Sequence, residues 1–69
     1  MITFGTQVYV NYGAMHPITN GEVVGIEDRE SGETYAHIMC DDGAVKIVDI
    51  EEIQEESDFG SPIGWFIAK

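Results

Sequence analysis

Three side chains in this sequence are candidate soft metal ligands: His16, His37 and Cys40. His37 and Cys40 lie three positions apart in an extended run, and an odd separation in a β-strand points two side chains to opposite faces. A closed zinc site also needs four ligands. The sequence therefore predicts no metal site, and we expect Cys40 to pack as a small apolar residue.

Carboxylates are far more numerous than these groups. Thirteen acids stand against three bases, giving a formal net charge of -10, and residues 49–58, DIEEIQEESD, hold six of the acids. The twelve-residue calcium-loop pattern is absent. Carboxylates that act as an acid and base pair need a cleft, for which 69 residues leave little volume. With no Ser-His-Asp set and no GxxxxGK string, we predict a chain that is not an enzyme and has no cofactor.

The excess of negative charge indicates which partners are suitable. It repels phosphate, so we expect no direct binding of nucleic acid or of an anionic membrane. A basic protein is the expected partner. A sharper version is a small inhibitor of viral or mobile-element origin that mimics nucleic acid, with carboxylates in place of phosphates. The alternative is that the acids only keep the chain soluble.

The predicted partner-binding residues are the acids of two segments and one aromatic residue. Tyr9 is included because it lies opposite two valines of a predicted strand and could serve as an exposed anchor. The full set is Asp41, Asp42, Asp49, Glu51, Glu52, Glu55, Glu56, Asp58 and Tyr9.

A central antiparallel hairpin is predicted to carry the first of these acids. Two β-prone runs, Thr34 to Cys40 and Ala44 to Asp49, flank the dipeptide Asp42-Gly43. An Asp-Gly pair in this setting is a strong hairpin signal, because a type I′ turn needs positive φ at both central residues. After the hairpin, Ile50 and Ile53 have the spacing of one helical turn near 50–56, with Glu51 and Glu52 facing outward.

Three further strands complete the predicted fold. Residues 7–12, QVYVNY, alternate with Val8, Val10 and Tyr12 on one face, and residues 13–21 form an irregular loop. Residues 21–27, GEVVGIE, form a strand in which Gly25 indicates a bulge where another backbone approaches closely. In residues 63–68, IGWFIA, Trp65 and Ile67 share one face and Phe66 takes the other.

This order of elements resembles the Src-homology-3-like small barrels, in particular the bacterial KOW-like and Tudor-like variants. QVYVNY, a long loop, GEVVGIE, a polar loop, the Asp-Gly hairpin, a one-turn IEEI element and a short last strand carry the resemblance. It implies an all-β, five-stranded, strongly bent antiparallel barrel that forms one domain over residues 1–69. It carries no binding site across, because residues 13–20 lack the acidic-aromatic motif of the peptide-binding members.

Two further expectations concern assembly and location. A structural role, in which the chain forms homo-oligomers through an edge strand or through residues 63–68, is the alternative to a protein-binding module. Cys40 is the single cysteine, which favours a reducing compartment. No basic and apolar leader and no membrane-length apolar run is found, so we expect a cytoplasmic protein.

Overall fold

Six β-strands and one 3₁₀ turn make up the fold in a computed structural model that describes residues 2–55 and 63–68. The turn lies between the fourth and fifth strands. In chain order the elements are β1 (Gln7–Asn11), β2 (Thr19–Asp28), β3 (Thr34–Cys40), β4 (Val45–Asp49), the 3₁₀ turn (Ile50–Glu52), β5 (Ile53–Glu55) and β6 (Gly64–Ile67).

The six strands form one strongly curled sheet in the order β4-β3-β2-β1-β6-β5. The predicted all-β, strongly bent architecture is confirmed. The structure differs from the predicted five antiparallel strands in one respect. Ile53–Glu55 is a sixth strand, and it pairs with β6 in parallel. A run of three residues is too short to show an alternation, and the helical spacing of Ile50 and Ile53 hides where the turn ends.

The core lies on the inner face of the curled sheet. In β3 the buried residues alternate, and Ala36 and Ile38 are both 0% exposed. Such alternation is the signature of a strand with one face covered. The buried core cluster consists of Val8, Val23, Ala36, Ile38, Cys40, Val48 and Ile53, with Ile2, Ile50, Trp65 and Ile67 packed against it.

The alternation predicted for β1 ends one residue early. Val8 and Val10 are buried as predicted, but Tyr12 is 53% exposed, which corrects its assignment to the inner face. The physical reason is a local turn: the Gly13 N–H donates to Asn11 Oδ1 at 2.9 Å, so the side chain of Asn11 replaces a ladder partner and the chain leaves the sheet.

The hairpin is confirmed, but its turn is of a different type from the one predicted. Gly43 N–H donates to the Cys40 carbonyl and Cys40 N–H donates to the Ala44 carbonyl, which encloses a three-residue loop. Gly43 has φ +89°, whereas Asp42 does not have positive φ. This is the arrangement of a type I turn followed by one left-handed residue, instead of the type I′ turn. Asp42 contributes by accepting from the Ala44 N–H at 2.9 Å.

The bulge predicted in β2 is present, since the register with β3 shifts between Val23 and Gly25. The close approach is not at Gly25, however. A Cβ at Gly25 would meet only the His37 side chain, at an ordinary 3.5 Å. A Cβ at Gly21 would lie 2.6 Å from Ile38 Cγ2 and 3.0 Å from the Met39 carbonyl oxygen. Gly21 is therefore the residue where a side chain does not fit.

Gly43→Ala is expected to destabilise the fold by about 1 to 2 kcal/mol, the cost of a side chain in the left-handed conformation. The loss is conformational, because nothing lies within 4 Å of a Cβ at this position. Urea unfolding followed by Trp65 fluorescence measures it. Gly43→Asn should lose less, because Asn tolerates positive φ; equal losses for both variants would contradict this explanation.

Gly21→Ala and Gly25→Ala make the same change in the same strand with opposite expectations. Gly21→Ala should cost about 1 to 3 kcal/mol, because the new methyl group overlaps Ile38 and the β3 backbone. Gly25→Ala should stay within about 0.5 kcal/mol of the parent or stabilise it slightly. The change in the free energy of unfolding of each variant is measured from the midpoint of its urea unfolding curve, provided that the slope of the curve is unchanged. A larger loss at Gly25 than at Gly21 would contradict the close approach of Ile38 to Gly21.

Candidate interaction surface

The predicted partner-binding acids lie at both ends of β4 instead of forming one patch. Asp41 and Asp42 belong to the turn that precedes β4, and we call them the hairpin-tip acids. Asp49 ends β4 and is followed by Glu51 and Glu52 in the 3₁₀ turn; these three are the helical-turn acids. From Val45 to Asp49 the strand advances about 13 Å. A partner that contacts both groups must therefore span the length of β4.

The helical-turn acids are positioned by a cap and by the core. Asp49 Oδ1 accepts from the Glu51 N–H at 2.9 Å, and the Ile53 N–H donates to the Ile50 carbonyl. Ile53 is buried and Ile50 packs against the core cluster, so Glu51 and Glu52 are left exposed, as the spacing predicted. Asp49 thus stabilises the turn as well as contributing charge.

The β2–β3 loop adds an acid that the sequence analysis missed. Tyr35 pairs with Asp49 across the β3–β4 hairpin, so Glu33 and Thr34 lie beside the start of the 3₁₀ turn. Residues of the β2–β3 loop and of the 3₁₀ turn together line a cavity of about 200 Å³. The register of the predicted hairpin was the signal that could have found Glu33. The lining residues are Ser31, Gly32, Glu33, Thr34, Asp49, Ile50 and Glu51.

The other predicted residues are not brought to this end of the hairpin. Tyr9 is half-buried and stacks on Phe66 with 5.4 Å between ring centroids. Its strand β1 is three positions from β4 in the sheet, about 14 Å away along the sheet. Glu55 is exposed at the end of β5. Glu56 and Asp58 lie outside the described residues.

The outer face of β2 and β3 carries a chain of polar contacts. Glu27 pairs with Arg29 at 2.8 Å and with His37 at 3.1 Å. The Arg29 guanidinium lies 4.0 Å from the centre of the Tyr35 ring, and the Tyr35 hydroxyl donates to Glu33. The hydrogen bond from Arg29, and then that from His37, holds the pKa of Glu27 below its ordinary value of 4.5. Arg29 is thereby engaged with Glu27.

Cys40 and His37 point to opposite faces of β3, as their spacing predicted. Cys40 is buried in the core cluster, and burial raises the pKa of its thiol. His37 is half-buried on the outer face beside Glu27. A buried thiol with a raised pKa is a poor nucleophile, because the thiolate is the reactive form. The prediction that Cys40 packs as a small apolar residue of the core is therefore confirmed.

Comparisons of the chain with models of protein families, with curated protein sequences and with solved structures return no match. The fold itself is a small, curled, mostly β half-barrel that is compatible with a Src-homology-3-like small β fold. Within residues 2–55 and 63–68 no helix has the length and apolar character needed to cross a membrane.

The pKa of the Glu27 carboxyl should be measurably below 4.5 in a carboxyl NMR titration. Because the folded-state pKa is depressed, ionised Glu27 stabilises the fold above pH 4.5, and this contribution is lost as the pH falls through the folded-state value. Arg29→Met should return the pKa toward 4.5 by more than His37→Val does, because the Arg29 hydrogen bond is the larger cause. The reverse order would contradict the assignment.

Proposed function

We propose that the chain is a non-catalytic protein-binding module that docks a basic protein through its acidic surface. The observation that supports this best is the convergence of Glu33, Asp49 and Glu51 around one cavity, with exposed Glu52 beside them. Arg29 forms an ion pair with Glu27, and its charge also acts on Glu33. Carboxylates in excess over basic side chains offer a complementary field to a positively charged surface.

Electrostatic complementarity of this kind acts mainly on the rate of association. Exposed charges are screened by salt beyond about 8 to 10 Å at physiological ionic strength. Binding through the acidic surface should therefore weaken steeply as salt is added. In the narrower form of the proposal, the partner is itself a nucleic-acid-binding protein, and the chain mimics its ligand. DNA or RNA would then compete with the chain for that partner.

The double variant Glu51→Gln/Glu52→Gln tests the proposal. Immobilised parent chain should retain a basic protein from an extract of the source cells, and the variant should bind the purified protein with an association rate about tenfold lower. The side chains of Glu51 and Glu52 are exposed, and neither forms a hydrogen bond with another described residue. The double variant should therefore fold like the parent chain. Circular dichroism checks this.

Glu22→Gln is the matched control, because Glu22 is exposed on β2 and lies outside the predicted set. If only net charge mattered, this single change would lower the logarithm of the association rate by half as much as the double variant does. We expect it to produce much less. Equal binding by the parent and the double variant, or a rate that does not depend on salt, would overturn the proposed function.

A homo-oligomer formed through an edge strand is the second candidate function. The observation in its favour is that β4 and β5 end the sheet on its two sides. By contrast, β6 is paired on both sides, and its Trp65 and Ile67 pack against the core, so residues 64–67 are already used within the chain. Sedimentation of the purified chain decides this candidate: a concentration-dependent dimer supports it, and a monomer at high concentration excludes it.

A further inference from the structure

The outer edge of β4 presents backbone groups that no strand within residues 2–55 and 63–68 pairs with. Among the described strands β4 pairs only with β3. The Cys40 N–H donates to the Ala44 carbonyl, and bonded pairs alternate along an antiparallel ladder. Lys46, opposite Ile38, and Val48, opposite Ala36, are therefore the β4 residues bonded to β3. The N–H and C=O groups of Val45 and Ile47 point away from β3, toward the free edge.

The side chains along this edge are apolar and exposed. Val45 is 52% exposed and Ile47 is 55% exposed. They lie on the outer face of the sheet, and Lys46 lies between them on the other face. A lysine on an edge strand discourages indiscriminate pairing. It also specifies what can pair, because an acidic residue directly opposite Lys46 would be favoured.

Acidic residues lie at both ends of the β4 edge. The hairpin-tip acids precede β4, and the helical-turn acids begin at its last residue, Asp49. We propose that the basic partner adds an antiparallel strand to β4, with two apolar residues opposite Val45 and Ile47, an acid opposite Lys46, and a basic residue at each end. This inference rests on the proposed function and names the element of the partner that the surface takes. The mode of binding is β-strand addition.

A second copy of the chain fits this edge poorly. In a twofold antiparallel pairing centred on Lys46, two lysines would face each other. Centred on Ile47, the pairing would set Val45 against Asp49 in both halves. Each copy also carries a formal charge of -10. Like charges directly opposite destabilise a strand pair, so a strand with basic ends is the better occupant.

The probe for the test is the capped heptapeptide Lys-Thr-Val-Glu-Val-Thr-Lys, which has the proposed pattern. We expect it to shift the amide NMR signals of β4 and to bind more weakly as salt is added. Methylation of both valine nitrogens should weaken binding about tenfold to thirtyfold, because those two N–H groups would bond to Val45 and Ile47. Methylation of the glutamate nitrogen, which faces away from β4, is the control and should change little.

Val45→Thr tests the same contact from the side of the protein. It removes one apolar methyl group from the edge and should weaken peptide binding about fourfold. Val24→Thr makes the same chemical change on β2, away from the edge, and should leave binding unchanged. Both positions are exposed and Thr suits a strand, so both variants should fold.

The outcomes separate the two proposals. If methylation of the valines has no effect while Glu51→Gln/Glu52→Gln still weakens binding of the native partner, strand addition is overturned and the proposed function stands. If the peptide with Gln in place of both lysines binds equally well at all salt concentrations, the acidic surface does not select a basic strand, and the inference of a basic-ended partner strand is overturned. A dimer of the chain alone whose β4 amides are already protected would overturn the inference in favour of a second copy.

Discussion

The register of β3 is the constraint on which the rest of the structure depends. Ala36, Ile38 and Cys40 face the core, and His37 and Met39 face outward. Because side chains alternate along a strand, a slip of one residue would exchange these two sets and place the imidazole of His37 in the core. The complete burial of Ala36 and Ile38 makes such a slip costly. The pairing of β3 with β2 and β4 therefore decides which face of each of these two strands is inner and which is outer.

The candidate surface follows from that register. With Ala36 opposite Val48 and His37 opposite Ile47, β4 directs Val48 to the core and Ile47 to the outer face. The same pairing places the end of the β2–β3 loop beside the start of the 3₁₀ turn, which brings Glu33 to Asp49 and Glu51. The grouping of Glu33 with the helical-turn acids and the free edge of β4 are thus two consequences of the β3–β4 pairing.

The sequence was sufficient to predict the elements in which pattern and turn chemistry agree. The bounds of β3 and the outward position of Glu51 and Glu52 were predicted correctly, because alternation, the Asp-Gly pair and the Ile50–Ile53 spacing all pointed to them. Features that depend on distant contacts were missed. The three residues of β5 carry no period of their own, and the close approach at Gly21 comes from Ile38 on another strand.

The site was predicted in part for the same reason. Composition identified the acids but could not place Asp41 and Asp42 at the opposite end of β4 from Asp49, since that separation comes from the strand between them. Glu33 was missed because it is distant in sequence from the acidic run and becomes its neighbour only through the hairpin register. The number of acids can be counted in the sequence, whereas their positions relative to one another follow from the strand pairing.

Residue-resolved amide hydrogen exchange along β4 reports in one measurement both the register of the β3–β4 pair and the free edge of β4. We expect alternation in the free chain: the amides of Lys46 and Val48, bonded to β3, exchange slowly, and those of Val45 and Ile47 exchange fast. Addition of the basic-ended heptapeptide should then slow Val45 and Ile47 selectively. Uniform protection of all four amides in the free chain, or the opposite alternation, would contradict the register of the β3–β4 pair.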